Sequence, residues 1–322
     1  MLIDNGACSV LNALQDNFFA AWSRGQWHYL TPNLAEDAIL TSSQHGEGLG
    51  ATEWRRLLAG DTVALTWMHT SNHAILVGKS GQAASSAYVI GLLGSGSQQF
   101  LFGAGVVLRF QSHDPEGQWS LFDARIQVNW CKGDPSLAAH WRKPPSDAGW
   151  QLGDEPPVIV SELDSPWALI GDALPQASAQ DAVRQLFSQY SWAIDQGDIS
   201  LLSDSYTDDA VGGFAPMGQL EGRHAIIGQQ KSFRRLWPWM QHFADVLRVE
   251  IEADSHHARM IVARIVPERP VDEAGRSLYG AHYQLRLRLE GDGKWRICWF
   301  DYRPGWFTNA EIPTFDIGVI HA

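Results

Sequence analysis

Several absences narrow what this chain of 322 residues can be. No apolar run approaches the roughly 18 residues that a membrane-spanning helix needs, so no membrane partner is expected. Cysteine is scarce: Cys8, Cys131 and Cys298 are scattered, odd in number and without C-x-x-C spacing, which points to a reducing compartment. The opening MLIDNGACSV carries Asp4 and no basic segment ahead of an apolar run, unlike a secretory signal, so a cytoplasmic location is the simplest expectation. Positive charge is short as well. With 24 Lys and Arg against 36 Asp and Glu, the net charge of −12 offers no basic footprint for nucleic acid or for an anionic membrane surface. No G-x-G-x-x-G follows a strand and no G-x-S-x-G occurs, so nucleotide binding and serine-hydrolase chemistry lack their motifs. His69 and His73 are four apart and His256 and His257 adjacent, but no acid or thiol joins either pair at ligand spacing; neither metal nor other cofactor is expected.

What is present is aromatic and duplicated. Fifteen tryptophans favour extensive sheet packing over ligand binding as their common use. Between Arg142 and Gln180 the composition shifts: Pro144, Pro145, Pro156, Pro157, Pro166 and Pro175 fall there, six of 15 prolines. Proline blocks helix and central strand, so 142–177 reads as a linker, with Trp150, Trp167 and Leu169 packing it down. The text on its two sides matches. Gly25 pairs with Gly197, Glu36–Ala38 with Asp208–Ala210, Glu47–Gly48 with Glu221–Gly222, and His69 with His242. Gly103–Ala104 pairs with Gly280–Ala281, Leu108–Arg109 with Leu285–Arg286, Trp119 with Trp295, and Trp130 with Trp306. The offset drifts only from 172 to 177 in unbroken order, so the chain reads as one domain written twice, over 1–141 and 178–322.

In the second copy Val183, Leu186, Phe187, Tyr190 and Ile194 recur at spacings of three and four, a buried helical stripe over about Ala179–Gln196. A short helix is expected near Ile199–Tyr206, TDDAV as a turn into a strand, and EGRHAIIGQQKSFRRL as a third helix. Four strand-like runs follow: DVLRVEIEA, HARMIVARIV, YGAHYQLRLRLE and KWRICWFDYR. EGDGKW signals the hairpin between the last two. Helices first and strands after predict an α+β fold, helices covering one face of a curved antiparallel sheet, in tandem.

The ordered set Y-x4-D-x-G-D, DDAV, EG-x2-AI, W-x2-H and G-x-W-R-I resembles the SnoaL-like proteins of the nuclear-transport-factor-2-like superfamily. The resemblance covers nearly all of Gln180–Trp306 and, more faintly, Leu11–Trp130. It implies a cone-shaped α+β barrel with a deep pocket between helices and sheet. It leaves activity open, since the superfamily holds dehydratases, isomerases, cyclases and binding modules alike. The scytalone dehydratase and bile-acid dehydratase type is the most similar catalytic branch, and it implies Tyr190, Asp195, His242 and His282 as catalytic residues. In that scheme histidine removes a proton α to a carbonyl, the carboxylate fixes its tautomer, and the phenol binds the developing enolate oxygen. Dimers of this superfamily pair sheet against sheet, so the tandem copy implies an intramolecular pseudo-dimer and leaves further homo-oligomers open.

Each residue also has a bland reading. Tyr190 lies on the apolar stripe and can be core. Asp195 lies about 140° around the helix from Tyr190, so it enters the same pocket only if the helix ends or bends at QGD; otherwise it caps the next helix or is solvated. His242 can be a strand-edge residue. His282 alternates with Gln284, Arg286 and Arg288 against Tyr283, Leu285, Leu287 and Leu289, so strict alternation would put the polar row in the pocket; either the leucine row then packs on the other domain or a bulge switches sides. Asp301 and Arg303 either line the pocket mouth or pair on the surface. The first copy reads Phe18, Ser23, His69 and Gly105 at the four positions, a degenerate pocket. The expected function is a cofactor-independent lyase or isomerase on a small hydrophobic cyclic or polyketide-like carbonyl compound. The alternative is a non-enzymatic ligand-binding or assembly module.

Overall fold

A computed structural model describes residues 5–112, 118–142, 144–151, 154, 161–214, 217–236 and 240–316. The chain divides into two compact units, Met1–Ala177 and Ser178–Ala322. In the first, helices α1 (Asn5–Arg24), α2 (Trp27–Leu30) and α3 (Gly50–Ala64) accompany strands β1 (Leu34–Ser42), β2 (Gly46–Leu49), β3 (Leu65–Val77), β4 (Gln82–Ser95), β5 (Gln98–Ser112) and β6 (Trp119–Gly133), and α4 (Pro166–Leu169) comes last. The second unit holds α5 (Ala179–Gln196), α6 (Ile199–Asp204) and α7 (Arg223–Arg234), with β7 (Tyr206–Phe214), β8 (Gly218–Glu221), β9 (Ala244–Ile251), β10 (His257–Ile265), β11 (Leu278–Leu289) and β12 (Trp295–Thr308).

The duplication is visible as topology. The first sheet runs β2-β1-β6-β5-β4-β3 and the second β8-β7-β12-β11-β10-β9, the same order twice. In each, the pairing of the unit's first strand with its last is parallel and all other pairings are antiparallel. Both units are therefore α+β, with helices supplying the apolar cover that one face of such a sheet requires. Among the described residues no helix is long and apolar enough to cross a membrane.

Local chemistry explains the elements that matter for the site. Ser178 caps α5 by accepting from the Asp181 backbone at 3.1 Å. Gly197 ends it at φ 74°, in the left-handed region open to glycine. Asp198 then caps α6 by accepting from the Leu201 backbone at 2.9 Å. Thus QGD ends one helix and starts the next. The short helix stops at Asp204. TDDAV, expected as a turn, lies within β7, whose Tyr206 and Val211 pair with Ile297 and Trp299 on either side of an irregularity. The EGDGKW hairpin closes with Glu290 and Lys294 paired through the backbone at 2.9 Å.

The described parts of 142–177 belong to the first unit. Ile170, with Trp167 and Leu169 beside it, packs on Leu76 and Ala84, Leu174 donates its backbone N–H to Val77 at 2.8 Å, and Trp150 donates its indole N–H to the Val128 carbonyl at 3.0 Å. Pro156 and Pro157, and Trp239 of the W-x2-H motif, lie outside the described residues.

Candidate functional site

The second unit holds a half-open cavity of about 350 Å³. Its wall takes Tyr190 and Ile194 from α5, Gln230 and Phe233 from α7, Phe214 from β7, Arg264 from β10, Tyr283 from β11, and Phe300 and Tyr302 from β12; His242 enters just ahead of β9. Helix periodicity puts Tyr190 and Ile194 on one face, and strand alternation does the same for the sheet residues. Tyr283, Leu285 and Leu287 form the inward row of β11. Past an irregularity opposite Arg286–Leu287, Phe300 and Tyr302 form that of β12.

Asp195 is absent from the cavity wall but joined to it. Its carboxylate accepts from His242 Nδ1 at 2.6 Å and from the His242 backbone N–H at 2.7 Å. It neither caps α6 nor meets solvent; both side chains are buried. The wheel angle from Tyr190 is thus no obstacle, because the histidine bridges the distance to the pocket. Arg234 of α7 fixes the end of the helix, donating to the Ile194 carbonyl at 3.2 Å and the Asp195 carbonyl at 2.7 Å. Cations stabilise exposed C-terminal carbonyls in this way. With the carboxylate as acceptor, Nδ1 carries the proton and Nε2 becomes the nitrogen that can take one.

Tyr190 stands over the same space, its ring 6.3 Å from the His242 ring. The amide of Gln230 donates to its hydroxyl at 3.3 Å and to that of Tyr206 at 3.0 Å. Burial, then the nearby Tyr206, Tyr283 and Asp195, push the Tyr190 pKa well above its ordinary 10. Its hydroxyl therefore stays protonated at neutral pH. Burial also pushes Tyr283 up to about 12 against the opposing pull of Arg264. Burial works against the Arg264 charge, but Tyr283, Tyr302 and Asp195 outweigh it and hold its pKa above the usual arginine value.

His282 does not belong to this group. The inward row of β11 is the apolar one, so His282 stands on the other face, edge-on to Phe307 at 5.6 Å. That outer row is covered by the chain's later residues: Gln284 donates to the Thr314 carbonyl at 3.3 Å and accepts from the Asp316 backbone at 2.9 Å. Asp301 and Arg303 share the outer face and pair at 2.7 Å. Sequence reading missed Gln230 and Arg264. The signal for Arg264 was available: it continues the even-numbered row Ala258, Met260, Val262 of β10.

The first unit differs at the corresponding places. Phe18 is buried against Trp22 and Trp54, Ser23 donates to the Phe19 carbonyl at 2.6 Å, and His69 stacks on Trp67 at 6.0 Å. Deeper in, Asp61 of α3 is fully buried. Its Oδ1 accepts from His140 Nε2 and Trp141 Nε1, both at 2.6 Å. Its Oδ2 accepts from Trp22 Nε1 at 2.8 Å and lies 3.1 Å from His45 Nε2. Burial alone would raise its pKa, but His45, His140 and Trp141 overcome this and hold it far below the carboxylate range. The ring nitrogens of His45 and His140 and the Asp61 carboxylate are close enough together to serve one cation, as are Glu252, Asp254 and His257 in the second unit. Around Asp61, however, indole N–H groups already occupy an acceptor site on each oxygen, as expected of a stabilised buried anion.

Residues 175–301 match the family model described as a SnoaL-like domain. Among solved structures the chain is similar to hexachlorocyclohexane dehydrochlorinase LinA-type3 from Novosphingobium barchaimii, at 16% identity and a TM-score of 0.36, covering 44% of this chain and 96% of that one. It is similar to a putative scytalone dehydratase from Novosphingobium aromaticivorans at 12% identity and a TM-score of 0.34, covering 46% and 97%. A Nostoc punctiforme protein of unknown function with a cystatin-like fold gives 19% identity and a TM-score of 0.33, covering 42% and 98%. No curated protein matches the chain in sequence. Residues 175–301, most of the second unit, thus match a SnoaL-like domain, and the strand order of that unit is the same as that of the first.

Proposed function

We propose that the second unit is a cofactor-independent lyase or isomerase that works by acid–base chemistry on a small hydrophobic carbonyl compound. The observation that carries this reading is His242 on the wall of a largely apolar cavity, held from behind by two hydrogen bonds to Asp195. A surface histidine needs no such orientation. A general base does, because the bond to the carboxylate fixes both which ring nitrogen carries the proton and where the other nitrogen points.

His242 Nε2 takes the proton from the carbon α to the carbonyl, and the C–H electron pair moves into the enolate. Tyr190, held protonated by its surroundings, donates to the enolate oxygen. Asp195 stabilises the imidazolium without taking its proton. In a lyase the enolate then re-forms the carbonyl, expelling a β-hydroxyl that leaves as water with the proton from His242, and a C=C bond remains. In an isomerase the same proton returns to a different carbon. Atoms and charge balance in both without a further reactant.

The test is a thermal-shift screen of small cyclic ketones and β-hydroxy carbonyl compounds, followed by turnover of each hit. Asp195→Asn should lower kcat far more than it weakens binding. A ligand that binds tightly, is never converted and is indifferent to both Asp195 and His242 would make the unit a binding module instead.

A further inference from the structure

Arg264 is a half-buried cation in the cavity wall, with no carboxylate paired to it among the described residues. Strand alternation dictates its place: Ala258, Met260 and Val262 of β10 pack into the core, and the next inward position brings the guanidinium in among aromatic rings. Burying a guanidinium is costly unless its charge is matched. Elsewhere the protein matches such charges: Arg288 lies 2.8 Å from Asp209 and Arg296 2.5 Å from Asp204. Among the described residues no carboxylate lies within ion-pair distance of Arg264. The phenols of Tyr283 and Tyr302 are the groups that act on it most strongly. Asp195 influences it through space, but both oxygens of that carboxylate are engaged by His242.

A second polar atom in the wall complements it. The Gln230 side chain is 1% exposed. Its Nε2 donates to two tyrosine hydroxyls, while its Oε1 is buried with no hydrogen-bond partner among the described residues. The wall therefore offers a cation able to make a forked bond to a carboxylate and, separately, a dry acceptor suited to a hydroxyl. Phe300 and Phe214, stacked at 4.4 Å, share the wall with them. At about 30 Å³ per water-sized group, 350 Å³ holds about a dozen non-hydrogen atoms, which suits one ring with a short side chain and is too small for three or four fused rings.

We propose that the cavity is an organic-acid site: it takes a single-ring or aryl carboxylate, with the carboxylate on Arg264 and a hydroxyl on Gln230 Oε1. This names the substrate class for the acid–base reading above and rests on that reading for the reaction, though not for the binding.

The experiment is calorimetric titration of the full chain at neutral pH with benzoate, phenylacetate and cinnamate, each against its uncharged amide. At least one carboxylate should bind tenfold or more tightly than its amide, about 1.4 kcal/mol. Arg264→Gln should erase that preference. Arg264→Lys should keep part of it, since the charge remains but the fork is lost. If the glutamine variant does not fold, the wild-type pairs and the lysine variant still decide. Failure of all three carboxylates to bind, equal binding of acid and amide, or a preference that survives in folded Arg264→Gln overturns the proposal. His242→Ala should retain the preference, which separates binding from chemistry. Acids that bind in this manner yet are never turned over, in hydroxylated form, would defeat the proposed reaction and leave the acid site standing.

Discussion

Replacing Asp61 by asparagine probes the first unit at its most constrained point. The carboxylate, itself fully buried, receives three N–H donors and a fourth nitrogen at 3.1 Å. Asparagine keeps one carbonyl oxygen and turns the other position into a donor. If the amide nitrogen replaces Oδ2, the Trp22 indole loses its acceptor and faces a second donor; if it replaces Oδ1, Trp141 and His140 do. An orphaned buried donor costs about 1–3 kcal/mol, and at least two arise, the indole and the new amide N–H. The sum is about 2–6 kcal/mol, in line with the roughly 3–5 kcal/mol lost on breaking a buried charged pair. Such a loss is a large fraction of a domain's stability. Urea denaturation followed by tryptophan fluorescence reads it directly, since Trp22 and Trp141 touch the site. A carboxylate whose folded pKa is depressed contributes stability that is present above its unfolded value, near 3.9, and lost as pH falls through the folded value. The wild type should therefore hold this contribution down to about pH 4 and shed it below, and the asparagine variant should show no such slope. A loss under about 1 kcal/mol with an unchanged acid profile would refute the reasoning.

Three further outcomes follow from named contacts. Tyr190, Tyr206, Tyr279 and Tyr283 all have pKa values pushed up, chiefly by burial, so alkaline titration at 295 nm should leave four of the seven tyrosines neutral near pH 11. The stability they contribute is complete below the unfolded value of about 10 and drains as pH rises through the folded values; early ionisation of all seven in a folded protein would be inconsistent with the buried cluster. A Cβ at Gly212 would meet the Phe300 carbonyl oxygen at 2.1 Å, where β7 runs beside β12, so Gly212→Ala should cost about 1–3 kcal/mol in thermal or urea melts, and a neutral result would mean the two strands are farther apart. His282→Ala should leave ligand affinity within twofold of wild type, because the side chain stands outside the cavity; a tenfold loss would return it to the site.

What could be read from the chain was whatever short-range rules decide. The stripe Val183 to Ile194, the Gly197 stop, the EGDGKW hairpin and the strand-like runs are set by neighbours three or four residues apart, and the duplicated order announced a repeated fold. TDDAV misled because turn-like residues were drafted into β7 by pairing with β12, a partner nearly 90 residues away in sequence. At Asp195 a helical wheel could not show that a histidine arriving from 47 residues downstream would meet the carboxylate outside the pocket. His282 turned on which row of β11 faces inward, and only the tertiary packing of Leu285 and Leu287 decides that. Arg264 hid in a run where an inward arginine looks like an ordinary strand-end charge, until Tyr302 and Tyr283 closed around it. The Asp61 cluster joins positions 22, 45, 61, 140 and 141, a juxtaposition no local pattern encodes.

The central claim is that His242, held by Asp195, removes protons from carbon. Hydrogen–deuterium exchange at the α-carbon of a cavity-binding cyclic ketone, followed by proton NMR in deuterated buffer, measures that step whatever the natural substrate. Wild type should accelerate the exchange, His242→Ala should lower the rate by about 10²- to 10⁴-fold, and Asp195→Asn should fall well below wild type with affinity little changed. Exchange no faster than buffer for a bound ketone, or equal rates in all three proteins, would contradict it.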